Sequence, residues 1–122
     1  MIKNICKLFT VLFLLTGIAG AYSTDTDNTQ YTQIRAEHIL VKTAAQAQQI
    51  KKAIDEGGSF EYYARNYSIC PSARNNGDLG YFERGQMVPD FERAAFKLQI
   101  GEVSKPVYTQ FGWHLIKVTD KR

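Results

Sequence analysis

The 122-residue sequence has few cysteines, few prolines and no cationic run, and its formal net charge is only +3. Nucleic acid is therefore a poor candidate partner, because phosphate binding needs clustered Lys and Arg side chains. Asp25 and Asp27 resemble the start of a metal loop, but neither the glycine nor the terminal Glu of such a loop follows at the required spacing. We therefore expect no metal site.

Long apolar runs are also scarce, and the single one is near the N-terminus. Two lysines precede the apolar run Leu8 to Ile18, and Ala19-Gly20-Ala21 has the small-x-small pattern of a cleavage site. We interpret residues 1–21 as a secretory signal peptide. An uncleaved anchor is the alternative, although the run is shorter than the ~20 residues that a spanning helix needs. We therefore expect an exported protein, periplasmic or secreted, without stable membrane association after cleavage.

Removal of this leader leaves Cys70 as the single cysteine. It then has no partner for an internal disulfide, so it is either a small buried apolar residue or a free thiol with a function. A redox-sensing thiol is a further alternative, but it lacks a resolving cysteine.

Periodicity divides the rest of the chain into a polar lead-in, residues 22–33, and one α+β domain, residues 34–122. The predicted strands are Ile34 to Lys42, Leu79 to Phe82, Val103 to Thr109 and Trp113 to Thr119. Helices are predicted after the N-cap residues Thr43 and Ser59 and from Pro89, with a loop or short helical turn from Cys70 to Asp78. This order predicts a mostly antiparallel sheet with helices packed around it.

The stretch from Gly77 to Phe91 offers Leu79, Met87 and Phe91 to one concave spot. Core packing is the alternative for such apolar residues near glycine turns. His38 alternates with Leu40 on the first strand, where a buried structural histidine is the alternative to a catalytic one.

Five segments of the chain occur in an order and at a spacing that is typical of one family. They are Ala36 to Lys42, Ser68 to Ser72, Gly77 to Phe91, Gly101 to Val107 and Phe111 to Ile116. Together they resemble the parvulin (rotamase) family of peptidyl-prolyl cis/trans isomerases, and in particular the small non-phosphospecific parvulins and the parvulin domains of exported bacterial foldases. The resemblance implies a four-stranded, mostly antiparallel sheet with about four helices in the order βαααβαββ, and no cofactor.

The resemblance also implies roles for individual residues. Substrate binding is assigned to the apolar residues Leu79, Met87, Phe91 and Phe111. The catalytic group comprises His38, Cys70, Thr109 and His114. Phe111 occupies a position where phosphate-selective members have a smaller polar residue, which favours an apolar or aromatic residue before the substrate proline.

Two roles are open for Cys70, as a nucleophile or as a polar group that biases the electrostatics beside the carbonyl. His38 and His114 are either general acid–base groups or structural support. We favour support, because isomerisation requires no proton transfer. We predict a hydrogen bond between the two rings that also reaches Thr109 or the Cys70 thiol.

The sequence therefore predicts a monomeric isomerase that acts non-covalently on proline-containing unfolded or extended polypeptides. Phosphate selectivity is not expected, because the loop Lys42-Thr43-Ala44-Ala45 carries one cation where phosphate-selective parvulins have an arginine cluster. The alternative is a catalytically weak parvulin-fold chaperone that binds extended proline-containing segments without turnover.

Overall fold

The computed structural model describes residues 31–122, so the predicted signal peptide and most of the predicted lead-in lie outside the described residues. The elements, in chain order, are β1 (Gln33–Val41), α1 (Ala44–Asp55), α2 (Phe60–Tyr67), a 3-10 helix (Pro71–Asn75), β2 (Asp78–Glu83), α3 (Pro89–Lys97), β3 (Val107–Thr109) and β4 (Gly112–Lys121). The predicted α+β order is confirmed, and the 3-10 helix accounts for the fourth helical element. Within residues 31–122, no helix is long and apolar enough to cross a membrane.

The four strands form one sheet in the order β2-β1-β4-β3, and every neighbouring pair is antiparallel. Helix α3 covers one face, where Ile34 and Ala36 of β1 share a buried cluster with Phe91. Helices α1 and α2 cover the other face, where Ile39 and Val41 are buried. Because helices cover both faces, the C-terminal half of β1 is apolar on both sides instead of alternating.

Local sequence signals set the start of two helices as predicted. The Thr43 hydroxyl accepts a hydrogen bond from the Gln46 N–H at 3.1 Å, and the Ser59 hydroxyl accepts one from the Tyr62 N–H at 3.1 Å. Each bond satisfies an N–H group that has no partner within the helix. The turn from β1 to α1 is consequently short, and Thr43 follows the strand after one residue.

Most predicted strand ends shift by one or two residues in the structure, and the start of β3 shifts by four. β1 begins at Gln33, which the sequence placed in the lead-in, because the Gln33 N–H donates to the carbonyl of Arg122 at 2.7 Å. β3 covers only Val107–Thr109 and not the predicted stretch from Val103. Pro106 has no N–H to donate to the ladder, and the Ser104 hydroxyl takes up the Ile116 N–H at 3.0 Å.

Candidate active site

The two histidines meet at the centre of the sheet because of the strand register. His38 of β1 is paired with Ile116 of β4, and His114 is paired with Leu40, so the histidines are diagonal neighbours on one face. Their Nδ1 atoms lie 3.0 Å apart, and both side chains are buried. The predicted ring-to-ring hydrogen bond is present in the structure.

Thr109 extends this network. Its hydroxyl oxygen lies 2.7 Å from Nε2 of His114 and also accepts the N–H of Phe111 at 3.1 Å. In each neutral imidazole one ring nitrogen donates and the other accepts, so the hydrogen bonds run in one direction, either from Thr109 to His38 or from His38 to Thr109. In both arrangements Nε2 of His38 has no hydrogen-bond partner within residues 31–122.

Both imidazoles are held in the neutral form that this chain of donors requires. Burial, and then the charge that His114 would carry, lowers the pKa of His38 to about 4. Burial alone lowers the pKa of His114 to about 4. An imidazole in an apolar environment loses the hydration that its charged form needs. At neutral pH the pair therefore contributes hydrogen-bonding groups and no charge.

An apolar cavity of about 550 Å³ adjoins the two histidines. The Phe91 ring stands edge-on to both imidazoles, with centroid distances of 5.7 Å to His38 and 5.2 Å to His114. The lining residues are His38, Leu40, Ile69, Cys70, Pro71, Leu79, Gln86, Met87, Val88, Phe91, Phe111 and His114. Every residue that the sequence assigned to the site lines this cavity except Thr109, which lies behind His114. The volume is that of a typical ligand pocket and exceeds what a single five-membered ring fills.

The segment from Ser68 to Cys70 enters the site because it takes the place of β2 beside β1. Pairing between β1 and β2 ends at Glu37, and beyond that point the Ile69 N–H donates to the Leu40 carbonyl at 2.8 Å. The Ser68 hydroxyl accepts the Leu40 N–H at 3.0 Å. The half-buried thiol of Cys70 is thereby placed in the cavity wall.

The Cys70 thiol is bonded to a serine and to neither histidine. The Ser72 hydroxyl donates to Cys70 Sγ at 3.2 Å. Within residues 31–122, no hydrogen bond joins the thiol to His38 or His114. Of the two partners predicted for the histidine network, the structure therefore has Thr109 and not the thiol.

Several lining residues were not identified from the sequence. Ile69, Gln86 and Val88 line the cavity, and Ile69 is 51% exposed. No sequence pattern distinguished Ile69, because its place in the cavity wall depends on the pairing of its N–H with the Leu40 carbonyl. Within residues 31–122, no group of three or more His, Cys, Asp or Glu side chains lies close enough together to hold a metal ion.

Comparisons with known proteins agree with this geometry. Residues 29–120 match the family model described as the PPIC-type PPIase domain, Rotamase. The chain is 54% identical over 90 residues to the foldase protein PrsA of Geobacillus kaustophilus, which covers 73% of this chain and 32% of that protein. It is 47% identical over 105 residues to PrsA of Bacillus subtilis, which covers 81% of this chain and 36% of that protein. The chain therefore spans about a third of the length of these curated relatives.

Solved structures give the same fold. The peptidylprolyl isomerase PrsA of Bacillus anthracis superimposes with a TM-score of 0.74 at 45% identity, over 81% of this chain and 47% of that chain. The parvulin NmPin of Nitrosopumilus maritimus gives a TM-score of 0.67 at 46% identity, over 73% of this chain and 97% of that chain. The second match covers nearly all of a small parvulin, so the described residues contain the elements of a whole domain of this kind.

Proposed function

Because the chain belongs to the PPIC-type peptidyl-prolyl isomerase family, we propose that it accelerates cis/trans rotation about X-Pro bonds in exported polypeptides. The observation that carries this proposal is the apolar cavity lined by Leu79, Met87 and Phe91, whose lining also includes the Cys70 thiol and the two histidines. The substrates are proline-containing segments in unfolded or extended chains, bound by a monomer. Export is supported by the apolar leader in residues 1–21 and by the similarity to foldases.

An apolar cavity suits the chemistry of this rotation. The planar X-Pro amide is stabilised by resonance, and rotation about an amide bond has a barrier of roughly 18–20 kcal/mol. Twisting the bond returns electron density to nitrogen and makes the carbonyl less polar, and no covalent bond breaks. A water-excluding pocket therefore favours the twisted amide over the planar one, which lowers the barrier. Met87 is suited to contact the ring in either isomer, because its side chain is flexible.

The polar contacts of the site support a non-covalent role for Cys70. Nucleophilic attack by a thiol needs an adjacent base, and neither His38 nor His114 is bonded to the sulfur. Both imidazoles are instead tied to each other and to Thr109. We therefore assign the thiol an electrostatic role beside the substrate carbonyl. Nε2 of His38 has no hydrogen-bond partner within residues 31–122, and the His38 ring lines the same cavity.

The charge of the cavity supports activity without phosphate selectivity. Of the described residues that line it, none is Arg or Lys, and the two histidines are neutral. A phosphoserine carries a charge near −2 and would find no guanidinium partner here. Phe111 is 58% exposed at the rim. It favours an apolar or aromatic residue immediately before proline.

A peptide assay tests the proposal directly. The cis-to-trans rate of short X-Pro peptides is measured with X as Leu, Phe, Glu or phosphoserine. We expect catalysis with a higher kcat/KM for Leu and Phe than for phosphoserine. A folded protein that binds these peptides without accelerating rotation would instead be the parvulin-fold binding module. A phosphoserine preference would contradict the role that we assign to the uncharged cavity.

A further inference from the structure

We propose that Ser72 is a positioning residue that holds the Cys70 sulfur in the cavity wall by donating its hydroxyl hydrogen to it. The Oγ to Sγ distance is 3.2 Å, and Ser72 lies in the 3-10 helix that begins directly after Cys70. The proposal rests on the isomerase function above and adds a residue to it. Ser72 itself is not among the residues that line the cavity, so it acts through the sulfur.

The backbone of Ser72 is fixed relative to β1, which gives the hydroxyl a defined place. The Ser72 carbonyl accepts the Gly77 N–H at 2.8 Å, and the Gly77 carbonyl accepts the His38 N–H at 2.9 Å. Gly77 has a φ of +84°, and a Cβ at this position would lie 2.4 Å from the His38 carbonyl oxygen. Only glycine fits this link between the two segments. Two backbone hydrogen bonds in series, both made by Gly77, thus connect Ser72 to His38 of β1.

The backbone of Cys70 is fixed by a different serine. Its N–H donates to the Ser68 hydroxyl at 3.3 Å, and Ser68 also accepts the Leu40 N–H. One serine therefore places the main chain of Cys70, and the other orients its side chain. Since Ser72 donates, the sulfur is an acceptor in that bond, and its own hydrogen is free to point into the cavity. A donor at this distance also stabilises negative charge that develops on sulfur.

The rate of Cys70 alkylation by iodoacetamide tests the contact without any isomerase assay. It is followed by mass spectrometry of the Cys70 peptide in the full chain. We expect Ser72→Ala to slow alkylation about 3- to 10-fold, because the thiolate is the species that displaces iodide and the variant lacks the hydroxyl hydrogen bond that stabilises it. Ser72→Thr should stay within about 2-fold of the unchanged protein. Ser72→Val, which has the shape of Thr without the hydroxyl, should behave like Ser72→Ala. An equal rate for the Thr and Val variants would overturn the proposal.

Isomerase kinetics in two backgrounds separate positioning from simple structural support. Ser72→Ala should lower kcat/KM about 3-fold when Cys70 is present and have no effect in a Cys70→Ala background. An equal loss in both backgrounds would reject action through the sulfur. Ser59→Ala is the matched control, because it removes an N-cap hydroxyl of α2 and should leave the alkylation rate unchanged. If the unchanged protein had no isomerase activity, the proposed function would fail, whereas alkylation would still decide the role of Ser72.

Discussion

Nδ1 of His38 and Nδ1 of His114 lie 3.0 Å apart across the two central strands of the sheet. The pair is simultaneously part of the buried core and part of the cavity wall. On the core side Phe91 packs edge-on to both rings, and behind His114 the Thr109 hydroxyl closes the network. Changes at either ring should therefore affect stability and activity together.

The first prediction is that His38→Ala lowers the melting temperature and kcat/KM together. The substitution removes a 5% exposed ring and leaves Nδ1 of His114 without its hydrogen-bond partner. We expect a loss of about 2–4 kcal/mol in the free energy of unfolding, measured by urea denaturation. Ile34→Ala is the control, since it empties buried volume on the same strand face away from the cavity and should spare kcat/KM. Unchanged stability with lost activity would contradict the supporting role of the ring.

The second prediction concerns mild acid. The pKa of His38 is lowered to about 4 in the folded state, and His114 is lowered similarly. The unfolded chain therefore takes up protons near pH 6.5, before the folded state does. The contribution of the histidines to stability should be full above pH 6.5 and should fall as the pH drops toward 4, by on the order of 3 kcal/mol for His38.

Urea denaturation midpoints measured between pH 4 and 7.5 give the slope of stability against pH. The double variant His38→Phe, His114→Phe should lose most of it, because neither phenylalanine can take up a proton. Asp78 contributes at lower pH, because the Arg35 hydrogen bond holds its pKa below its ordinary range. Glu37, whose pKa is raised to about 7, contributes with the opposite sign and is the same in the double variant. The same slope in the double variant as in the unchanged protein would show that the histidines are not its source.

The third prediction concerns a shared proton on the opposite face of the sheet. Glu37 of β1 faces Lys117 of β4 in the register, and Lys117 Nζ donates to Glu61 of α2 at 3.1 Å. Burial, and then a hydrogen bond with Glu61, raises the pKa of Glu37 to about 7, and the same bond lowers that of Glu61 to about 2. We therefore predict that Glu37 is the protonated member of this pair and Glu61 the charged one, with Asp78 as a further negative neighbour of Glu37.

A raised folded-state pKa gives stability that is complete below pH 4.5 and is lost as the pH rises through 7. Glu37→Gln keeps the neutral, donating form at every pH. We expect the variant to be more stable than the unchanged protein at pH 8 by ~1 kcal/mol, after allowance for solvent screening, and equally stable near pH 4.5. Glu56→Gln is the control, because Glu56 is exposed at the end of α1. If the difference in stability between Glu37→Gln and the unchanged protein were the same at pH 5 and pH 8, the shared proton would be contradicted.

The elements were predictable where the signals were local. Thr43 and Ser59 mark helix starts through bonds to residues three positions later, and such pairs are legible in any sequence. The start of β3 was not predictable in this way. The Ser104 hydroxyl replaces a backbone acceptor for a residue 12 positions away, and only the folded sheet brings the two together.

The residues of the candidate site also fall into two groups, those that a local pattern predicts and those that only the folded sheet brings together. Leu79, Met87 and Phe91 come from one stretch, so their convergence could be predicted from the order of strand, loop and helix. The contributions of Ile69 and Ser72 depend on the Ser68–Cys70 segment replacing β2 beside β1. That replacement follows from where β2 pairing stops, which no local pattern records. The sequence left Thr109 and the Cys70 thiol as alternative partners of the histidines, and the structure has the bond to Thr109.

The last prediction separates substrate binding from stability within the apolar trio. Met87 lies half-buried between β2 and α3, whereas Phe91 is 3% exposed and packs against Phe82 and both histidines. Phe91→Ala should therefore cost about 3–5 kcal/mol of stability, which confounds its kinetics. Met87→Ala should leave stability within about 1 kcal/mol and reduce kcat/KM about 10- to 30-fold, because roughly 2 kcal/mol of apolar contact with the substrate ring is lost. Ile100→Ala, which removes a 58% exposed apolar side chain outside the cavity lining, is the control and should change neither quantity. If Met87→Ala turned over X-Pro peptides at the full rate, proline would have to bind elsewhere, and the cavity would not be the site of rotation.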